Sequence, residues 1–162
     1  MRTIINPWIG QAGYNCFGCA PHNAIGLGMQ FSEDGDDIVS LWPVDERYAG
    51  FKGVLHGGIQ ATLHDEIASW VVFIKLKTAG YTEELNVRYL SPVYVKNSPL
   101  TLRARLAAST DKRATLATVL YDASGKACSE STASYAVVPA HIAGRMFAYP
   151  GIEAFFAAAP AD

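Results

Sequence analysis

The sequence predicts an α+β fold in which one antiparallel sheet wraps around a single long central helix. Residues 57–76 carry apolar side chains at spacings of three and four, which is typical of a packed helix. After Gly80 the apolar period becomes two, which is the period of strands. Short connections between these segments favour antiparallel pairing. We therefore expect two strands, the helix and four strands in a single domain over residues 1–162, with a core at about 15–138.

The part of the chain before the helix is predicted to hold little regular structure. Residues 1–27 are rich in Gly, Asn and Pro, and we expect them to wrap the surface. A short strand is predicted at about 28–32 and a clearer strand at about 37–43, where apolar residues occupy both faces. Residues 33–36, which read Glu-Asp-Gly-Asp, indicate a hairpin turn between them.

The central helix has the clearest pattern in the chain. Gly57 and Gly58 stand at its start, and Gly80 follows its end. Much of its remaining face is Ala, Ser, Thr or aromatic, so we expect the helix to be covered almost all round. The apolar positions that define it are Ile59, Leu63, Ile67, Trp70, Val71 and Ile74.

Four strands are predicted after the helix. Their alternating segments lie at about 85–89, 100–106, 114–120 and 127–138, with a turn at residues 123–126, which read Ala-Ser-Gly-Lys. Pro139 ends the last strand. Residues 139–162 are predicted to form a surface tail with a short helix near 152–158.

Composition excludes several classes of function. The chain has 162 residues and a net charge of −2, with 50% hydrophobic and 17% charged residues. This balance excludes disorder and offers neither a basic surface for nucleic acid nor a polybasic membrane patch. No apolar run reaches about 18 residues, and the N-terminal residues lack the long apolar core that is typical of a secretory signal, so neither a membrane span nor secretion is expected. With three cysteines, an odd number, a cytoplasmic location is expected.

The start of the central helix carries the strongest chemical signal. Amides in the first turn of a helix lack intrahelical partners and lie at the positive end of its dipole, so they can hold an oxyanion. The glycine pair Gly57-Gly58 lets another group approach those amides, although it could equally serve only a tight turn.

Two adjacent carboxylates, Asp65 and Glu66, lie inside the apolar stretch of the helix. Neighbouring helical residues point about 100° apart, so only one of them is expected to face a site. Asp65 lies in the middle of the apolar run and is the candidate general base or nucleophile. The alternative is a carboxylate held for structure or solvated at the helix edge.

These motifs resemble the hotdog-fold thioesterases, and the PaaI-like branch is the most similar. The resemblance rests on His56-Gly57-Gly58, six further residues and Asp65, together with the strand at 82–93. The leader segment at 15–27, which contains Asn-Cys-Phe-Gly-Cys-Ala-Pro-His-Asn, adds to it and extends the resemblance over residues 15–138. It implies an acyl-CoA thioesterase that needs no cofactor, since coenzyme A is part of the substrate, and that assembles as dimers or dimers of dimers (homodimer or homotetramer).

The resemblance also implies catalytic roles. The Gly57 amide would polarise the thioester carbonyl, with Gly58 beside it in the substrate-binding loop. His56 would position that loop or contact the substrate. Asp65 would be the base or nucleophile, and Ser69, one turn later, would orient the attacking water or be a small packing residue.

Further residues are expected to bind substrate. Thr82 matches a Ser/Thr over the site at the start of the strand after the helix. Many relatives place Asn or Gln six residues before the histidine, whereas this chain has Gly50 there. Asn23 and His64 are the candidates to replace that missing side chain.

Six basic residues are candidates to contact the coenzyme A phosphates, unless they simply form a solvated strand face. Arg88 and Arg113 are our choices among them. The others are Lys96, Arg103, Arg105 and Lys112.

No metal site is expected from the sequence. Cys16, Cys19 and His22 lie close together, but a zinc site prefers four ligands, and the third cysteine, Cys128, lies within a predicted strand.

Helix geometry adds an expectation about assembly. Gly57 and Asp65 are eight residues apart, so about 12 Å of helix separates their backbones. An Asp side chain is too short for that gap, so a two-fold dimer should share each site between its chains.

A non-catalytic protein that binds acyl-CoA or another small ligand is the rival hypothesis, and Gly50 favours it. A hotdog dehydratase would need a different histidine arrangement. The acyl pocket could be lined by four aromatic residues that could equally fill the core, namely Trp42, Trp70, Phe73 and Tyr89.

Overall fold

A computed structural model describes residues 1–157 and shows a long helix packed on an antiparallel sheet. The strands are β1 (Arg2–Ile4), β2 (Phe31–Asp34), β3 (Asp37–Trp42), β4 (Ala49–Phe51), β5 (Val54–Leu55), β6 (Ala79–Tyr89), β7 (Leu100–Ser109), β8 (Arg113–Tyr121) and β9 (Ala127–Val138). The α-helices are α1 (Gly57–Lys75) and α2 (Ala140–Phe147), and 3-10 helices lie at Glu46–Tyr48, Val95–Asn97 and Ile152–Phe155. None of the helices in residues 1–157 has the length and apolar character to cross a membrane.

The main sheet confirms the predicted α+β architecture, but five strands rather than the expected two precede α1, because the short segments at 2–4, 49–51 and 54–55 also form strand pairs. Over residues 1–157 it contains seven antiparallel strands in the order β1-β2-β3-β7-β8-β9-β6, while β4 and β5 pair separately. Of the strands that follow α1, β8 lies between β7 and β9 and pairs with both. Strand β9 also pairs with β6 on its other side. Strand β6 therefore forms one edge of the sheet in the described part of the chain.

Helix α1 is enclosed as its composition predicts. Leu63, Ile67 and Val71 are fully buried against the sheet, and of the residues in α1 only Gly58 is exposed. Trp42 and Trp70 are also buried, so these two aromatic residues belong to the core.

Both predicted hairpin turns are present. Asp34 pairs with Asp37, and Gly35 between them adopts a φ of 60°, which favours glycine. In the second turn, Asp122 Oδ1 accepts hydrogen bonds from the amides of Ser124 and Lys126, at 2.9 and 3.1 Å.

The N-terminal segment is more structured than the sequence indicates. Residues 2–4 form β1 on the edge of β2, and the first predicted strand begins at Phe31 rather than near 28. Trp8 is buried, with its ring centroid 5.3 Å from that of Phe155 and 6.1 Å from that of Trp70. Most of residues 1–27 is exposed and irregular, as predicted, but the prediction missed β1 and the burial of Trp8, because these contacts join residues far apart in sequence.

The C-terminal segment is likewise part of the core. Helix α2 was not predicted, and Tyr149 and Phe155 are buried rather than on a surface tail. The amide of Ile5 donates to the carbonyl of Phe155 at 2.8 Å, so the two ends of the described chain meet. Of the short helix predicted near 152–158, residues 152–155 form a 3-10 helix, and Ala158 lies outside the described residues.

Candidate active site

The His56 side chain caps the first turn of α1. Its Nδ1 accepts a hydrogen bond from the Gly58 amide at 2.9 Å, which makes His56 the N-cap of the helix. Among the hydrogen bonds of residues 1–157, the amide of Gly57 donates none. A free amide at the positive end of a helix of 19 residues is suited to bind a developing negative charge.

Tyr89, at the end of β6, lies directly over Gly57. Its hydroxyl donates to the Gly57 carbonyl at 2.8 Å. A Cβ added at Gly57 would lie 3.4 Å from the Tyr89 hydroxyl oxygen. About half of the Tyr89 side chain is exposed, so it borders the helix start instead of filling the core. Tyr89 is thus a polar neighbour of the candidate oxyanion site, a position that its aromatic character alone did not indicate.

Asp65 is anchored through one carboxylate oxygen. Its Oδ1 accepts a hydrogen bond from Thr82 Oγ1 at 2.7 Å. The single proton of the Tyr135 hydroxyl is shared between Asp65 Oδ1, at 2.9 Å, and the Asp65 backbone carbonyl, at 2.8 Å. Tyr135 is buried on β9, and burial raises the pKa of its phenol, so it stays protonated as a donor. Sequence reasoning identified Thr82 but missed Tyr135. The alternating pattern of the last strand places Tyr135 on a buried face, but it does not indicate a contact with Asp65.

Glu66, the neighbouring carboxylate, points to a different part of the molecule. Its Oε1 accepts from Trp70 Nε1 at 3.0 Å, and Cys16 Sγ lies 3.5 Å from its Oε2. Cys19 donates its S–H to Cys16 Sγ at 3.1 Å, and this hydrogen bond lowers the pKa of the Cys16 thiol. The two adjacent carboxylates therefore have separate environments, as the 100° step between helical residues predicts.

Gly57 and Asp65 do not form a closed site within one chain. Both are partly exposed on α1, and eight residues of helix separate them by about 12 Å along the axis. Thr82 is exposed on β6, at the sheet edge. The candidate site therefore opens toward an uncovered edge of the described chain.

His64 belongs to a buried polar network on the other side of α1. Ser129 Oγ donates to Gln60 Oε1 at 2.9 Å, so it accepts from His64 Nε2, also at 2.9 Å. His64 Nδ1 then accepts from Thr118, which accepts from Ser131. This order keeps the ring neutral, and burial lowers the pKa of His64 to about 4. His64 is fully buried and so does not replace the side chain missing at Gly50.

The remaining predicted residues near the helix have local hydrogen bonds. A Cβ at Gly50 would lie 3.2 Å from the His56 ring, so position 50 does border the helix start. The Asn23 amide group bonds to the Asn15 carbonyl and the Ile25 amide within the leader. Ser69 Oγ donates to the Glu66 carbonyl at 2.7 Å and makes no bond to Asp65.

The two arginines chosen for phosphate contacts lie in exposed ion pairs. Arg88 contacts Glu130 at 2.6 Å and Arg113 contacts Glu83 at 2.8 Å, with both arginine side chains at least 70% exposed. Arg88 also lines a groove of about 370 Å³ on the sheet. A second cavity of about 710 Å³, between the leader and β1–β3, is lined in part by Trp70. Neither cavity includes Gly57 or Asp65.

Comparison with known proteins places this geometry in context. The sequence model of the thioesterase superfamily, a protein family, matches residues 52–129. This range includes Gly57, Asp65 and Thr82. No curated protein is significantly similar in sequence.

Three solved structures illustrate the similarity. A thioesterase from Haemophilus influenzae is 26% identical, with a TM-score of 0.63 over 70% of this chain and 80% of its own. A thioesterase superfamily protein is 25% identical, with a TM-score of 0.69 over 82% and 68% of the two chains. A hypothetical thioesterase from Streptococcus pneumoniae, solved with coenzyme A, is 20% identical, with a TM-score of 0.63 over 68% and 89%.

Proposed function

Because this chain belongs to the thioesterase superfamily and has its hotdog fold, we propose that it hydrolyses an acyl-CoA thioester to a free acid and coenzyme A. The observation that carries the proposal is the presence on one helix of an unbonded Gly57 amide and of an Asp65 carboxylate that is anchored through one oxygen. The presence of coenzyme A in a structure of the same fold supports the choice of substrate class. Within the superfamily, the leader around Cys16 and Cys19 favours the PaaI-like branch.

In the proposed reaction, the thioester carbonyl oxygen accepts a hydrogen bond from the Gly57 amide. Asp65 Oδ1 remains bonded to Thr82 and Tyr135, which directs Oδ2 toward the reaction. Either Oδ2 removes a proton from an attacking water, or it attacks the carbonyl carbon to give an anhydride that water then hydrolyses. In both routes the C–S bond breaks and the thiolate of coenzyme A leaves. The reaction needs neither a metal nor a separate cofactor.

We propose that each site is shared between two chains. The 12 Å between Gly57 and Asp65 along α1 is too long for one carboxylate to reach a carbonyl held by the Gly57 amide of the same chain. An antiparallel arrangement of two α1 helices about a two-fold axis brings each Asp65 to the other chain's Gly57. The exposed edge strand β6, 11 residues long, is the surface expected to pair in such a dimer. Two such dimers can associate further as a tetramer.

The supporting residues have narrower proposed roles. His56 fixes the turn that presents Gly57 and Gly58, since its ring accepts the Gly58 amide. The Tyr89 hydroxyl, next to Gly57, supplies the polar side chain that is missing at Gly50. Ser69 is proposed to contact the attacking water, and Asn23 is proposed to contact the substrate.

Arg88 and Arg113 are proposed to contact the phosphates of coenzyme A. Each is exposed, so either can exchange its glutamate for a phosphate at little cost. We further propose a cytoplasmic location, on the ground that the three cysteines are free thiols.

The proposal is tested by measuring thiol release from acyl-CoA esters that vary in chain length and aromaticity. Asp65→Asn should lower kcat by at least about 100-fold with the fold intact. Glu153→Gln, which neutralises an exposed carboxylate on the 3-10 helix at 152–155, should leave turnover unchanged. Equal effects of the two substitutions would contradict the role of Asp65.

A second candidate is a non-catalytic acyl-CoA-binding protein. The observation that favours it is Gly50, which places no amide side chain beside His56. Calorimetric binding of acyl-CoA esters by the wild-type protein, without release of thiol from any ester in the panel, would favour this candidate over the thioesterase.

A further inference from the structure

Two cysteines of the leader and one glutamate of α1 meet outside the proposed catalytic site. Cys16, Cys19 and Glu66 each present one donor atom, and these atoms lie within 4.8 Å of one another. We call these three residues the leader cluster. It joins residues 50 positions apart and lies next to Asp65 in sequence while facing away from it.

One distance in the cluster matches a tetrahedral metal ion, and a second would lengthen when the ion binds. With bonds of about 2.3 Å to sulfur and about 2.0 Å to oxygen, a tetrahedral angle places the sulfur and oxygen atoms about 3.5 Å apart. Cys16 Sγ lies 3.5 Å from Glu66 Oε2. The two sulfur atoms are 3.1 Å apart, which is beyond a disulfide bond. They would have to separate to about 3.8 Å, a movement that repulsion between two thiolates favours.

The surroundings hold these donors in place. A Cβ at Gly18, between the cysteines, would lie 2.2 Å from Glu66 Oε2, so the carboxylate approaches a position that only glycine allows. Trp70 Nε1 donates to Glu66 Oε1 at 3.0 Å, and the Cys19 amide donates to Cys16 Sγ at 3.3 Å. Such outer contacts orient metal ligands and stabilise thiolates.

The charge of the cluster favours a cation. Glu66 is partly buried, and in residues 1–157 it forms no ion pair with lysine, arginine or histidine. A partly buried carboxylate needs compensating partners, and the partners of Glu66 are the neutral Trp70 indole and the Cys16 thiol, neither of which carries a positive charge. A metal ion would neutralise the carboxylate together with the thiolates.

We propose that Cys16, Cys19 and Glu66 bind a thiophilic divalent cation of the zinc type. Thiolate and carboxylate ligands at these distances suit Zn²⁺, and water can complete the coordination because Cys16 and Glu66 are partly exposed. The ion links the leader to α1 beside Asp65, and its fourth position is held by water. From the sequence, too few protein ligands could be counted for the four that zinc prefers; Glu66, 50 residues from Cys16, is the third protein ligand, and water supplies the fourth.

Cobalt absorbance tests the site without reference to activity. Reduced, chelator-treated protein is titrated with Co²⁺ under anaerobic conditions and then with competing Zn²⁺. We expect one Co²⁺ per chain with a thiolate-to-metal charge-transfer band. A hundredfold excess of Zn²⁺ over its Kd should raise the Tm by about 5–10 °C. Asp65→Asn should bind Co²⁺ as the wild type does, so failure of the thioesterase proposal leaves this test intact.

Variants then assign the ligands. Cys16→Ser and Cys19→Ser should each weaken the band, and Glu66→Gln should weaken affinity by at least about tenfold. Cys128→Ala, which removes a buried thiol outside the cluster, should keep the wild-type spectrum. Absence of the band in folded, reduced wild-type protein overturns the proposal, as does unchanged affinity in Glu66→Gln. A Cys16–Cys19 disulfide in the native protein also overturns it.

Discussion

Replacing Gly57 by proline removes the amide that is proposed to bind the carbonyl oxygen, and the local backbone accepts the change. Gly57 is the first residue of α1, where proline is tolerated because the missing N–H has no intrahelical partner. His56 has an extended ψ of 133°, outside the α region that a following proline disfavours. A Cβ at position 57 would make only an ordinary contact of 3.4 Å with Tyr89.

The expected loss follows from the role of the amide. Removing one donor from an oxyanion site typically lowers kcat by about 100- to 1000-fold, or about 2.7–4 kcal/mol in the transition state. Gly57→Ala is the matched control, because it adds the same Cβ but keeps the N–H. We expect Gly57→Ala to retain most of the wild-type kcat, so the difference between the variants isolates the amide.

Steady-state hydrolysis of the best acyl-CoA ester, followed by thiol release, measures both variants. Circular dichroism and the unfolding midpoint show whether each is folded. A folded Gly57→Pro protein with more than about half of the wild-type kcat would refute the role of the amide. Equal losses in the proline and alanine variants would instead attribute the effect to the side chain at position 57.

Three further predictions concern the sharing of sites between chains, the buried His64 and the contact of Tyr135 with Asp65. Gly57→Pro and Asp65→Asn chains should each be inactive alone. When they are unfolded together and refolded, about a quarter of the wild-type activity should return, because half of the dimers are mixed and each mixed dimer carries one intact site. No recovery, with mixed dimers verified by native mass spectrometry, would contradict shared sites. His64, with a folded pKa of about 4 against 6.5 when unfolded, stabilises the protein above pH 6.5, and this contribution is lost as the pH falls toward 4. Urea unfolding at pH 7.5 and 4.5 should show about 2–3 kcal/mol of pH-dependent stability that is absent in His64→Gln, and an equal pH dependence in both proteins would exclude this role. Tyr135→Phe removes the hydroxyl shared by Asp65 Oδ1 and the Asp65 carbonyl and should lower kcat by about 10- to 100-fold. Tyr149→Phe, which loses a bond to the Phe73 carbonyl and none to Asp65, should leave kcat unchanged; equal kcat values for the two variants would mean that Tyr135 serves packing alone.

Local patterns in the sequence were enough to predict the architecture. The bounds of α1 and β9 agree with the predicted 57–76 and 127–138 to within one residue. Both hairpin turns also occur where Gly35 and Gly125 indicated them. These features depend on periodicity and turn chemistry within a few residues, so the information lies in the segment itself.

The two ends of the chain could not be assigned in this way. Trp8 lies in an irregular segment and Phe155 in a short 3-10 helix, and no apolar period marks either as buried. Their burial depends on each other and on Trp70, at separations of 62 to 147 residues in the sequence. Hydrophobic contacts carry no directional signal along the chain, so only the folded arrangement identifies these partners.

The candidate site divides along the same line. His56, Gly57 and Asp65 belong to one helix, so their spacing alone determined which groups a single chain could bring together and that 12 Å would separate them. The partners of Asp65 and Glu66 come from other elements. Tyr135 reaches Asp65 from the last strand, and Cys16 reaches Glu66 from the leader. Only the tertiary structure decided these contacts, because a hydrogen bond between distant segments depends on strand order and register, which no local pattern encodes.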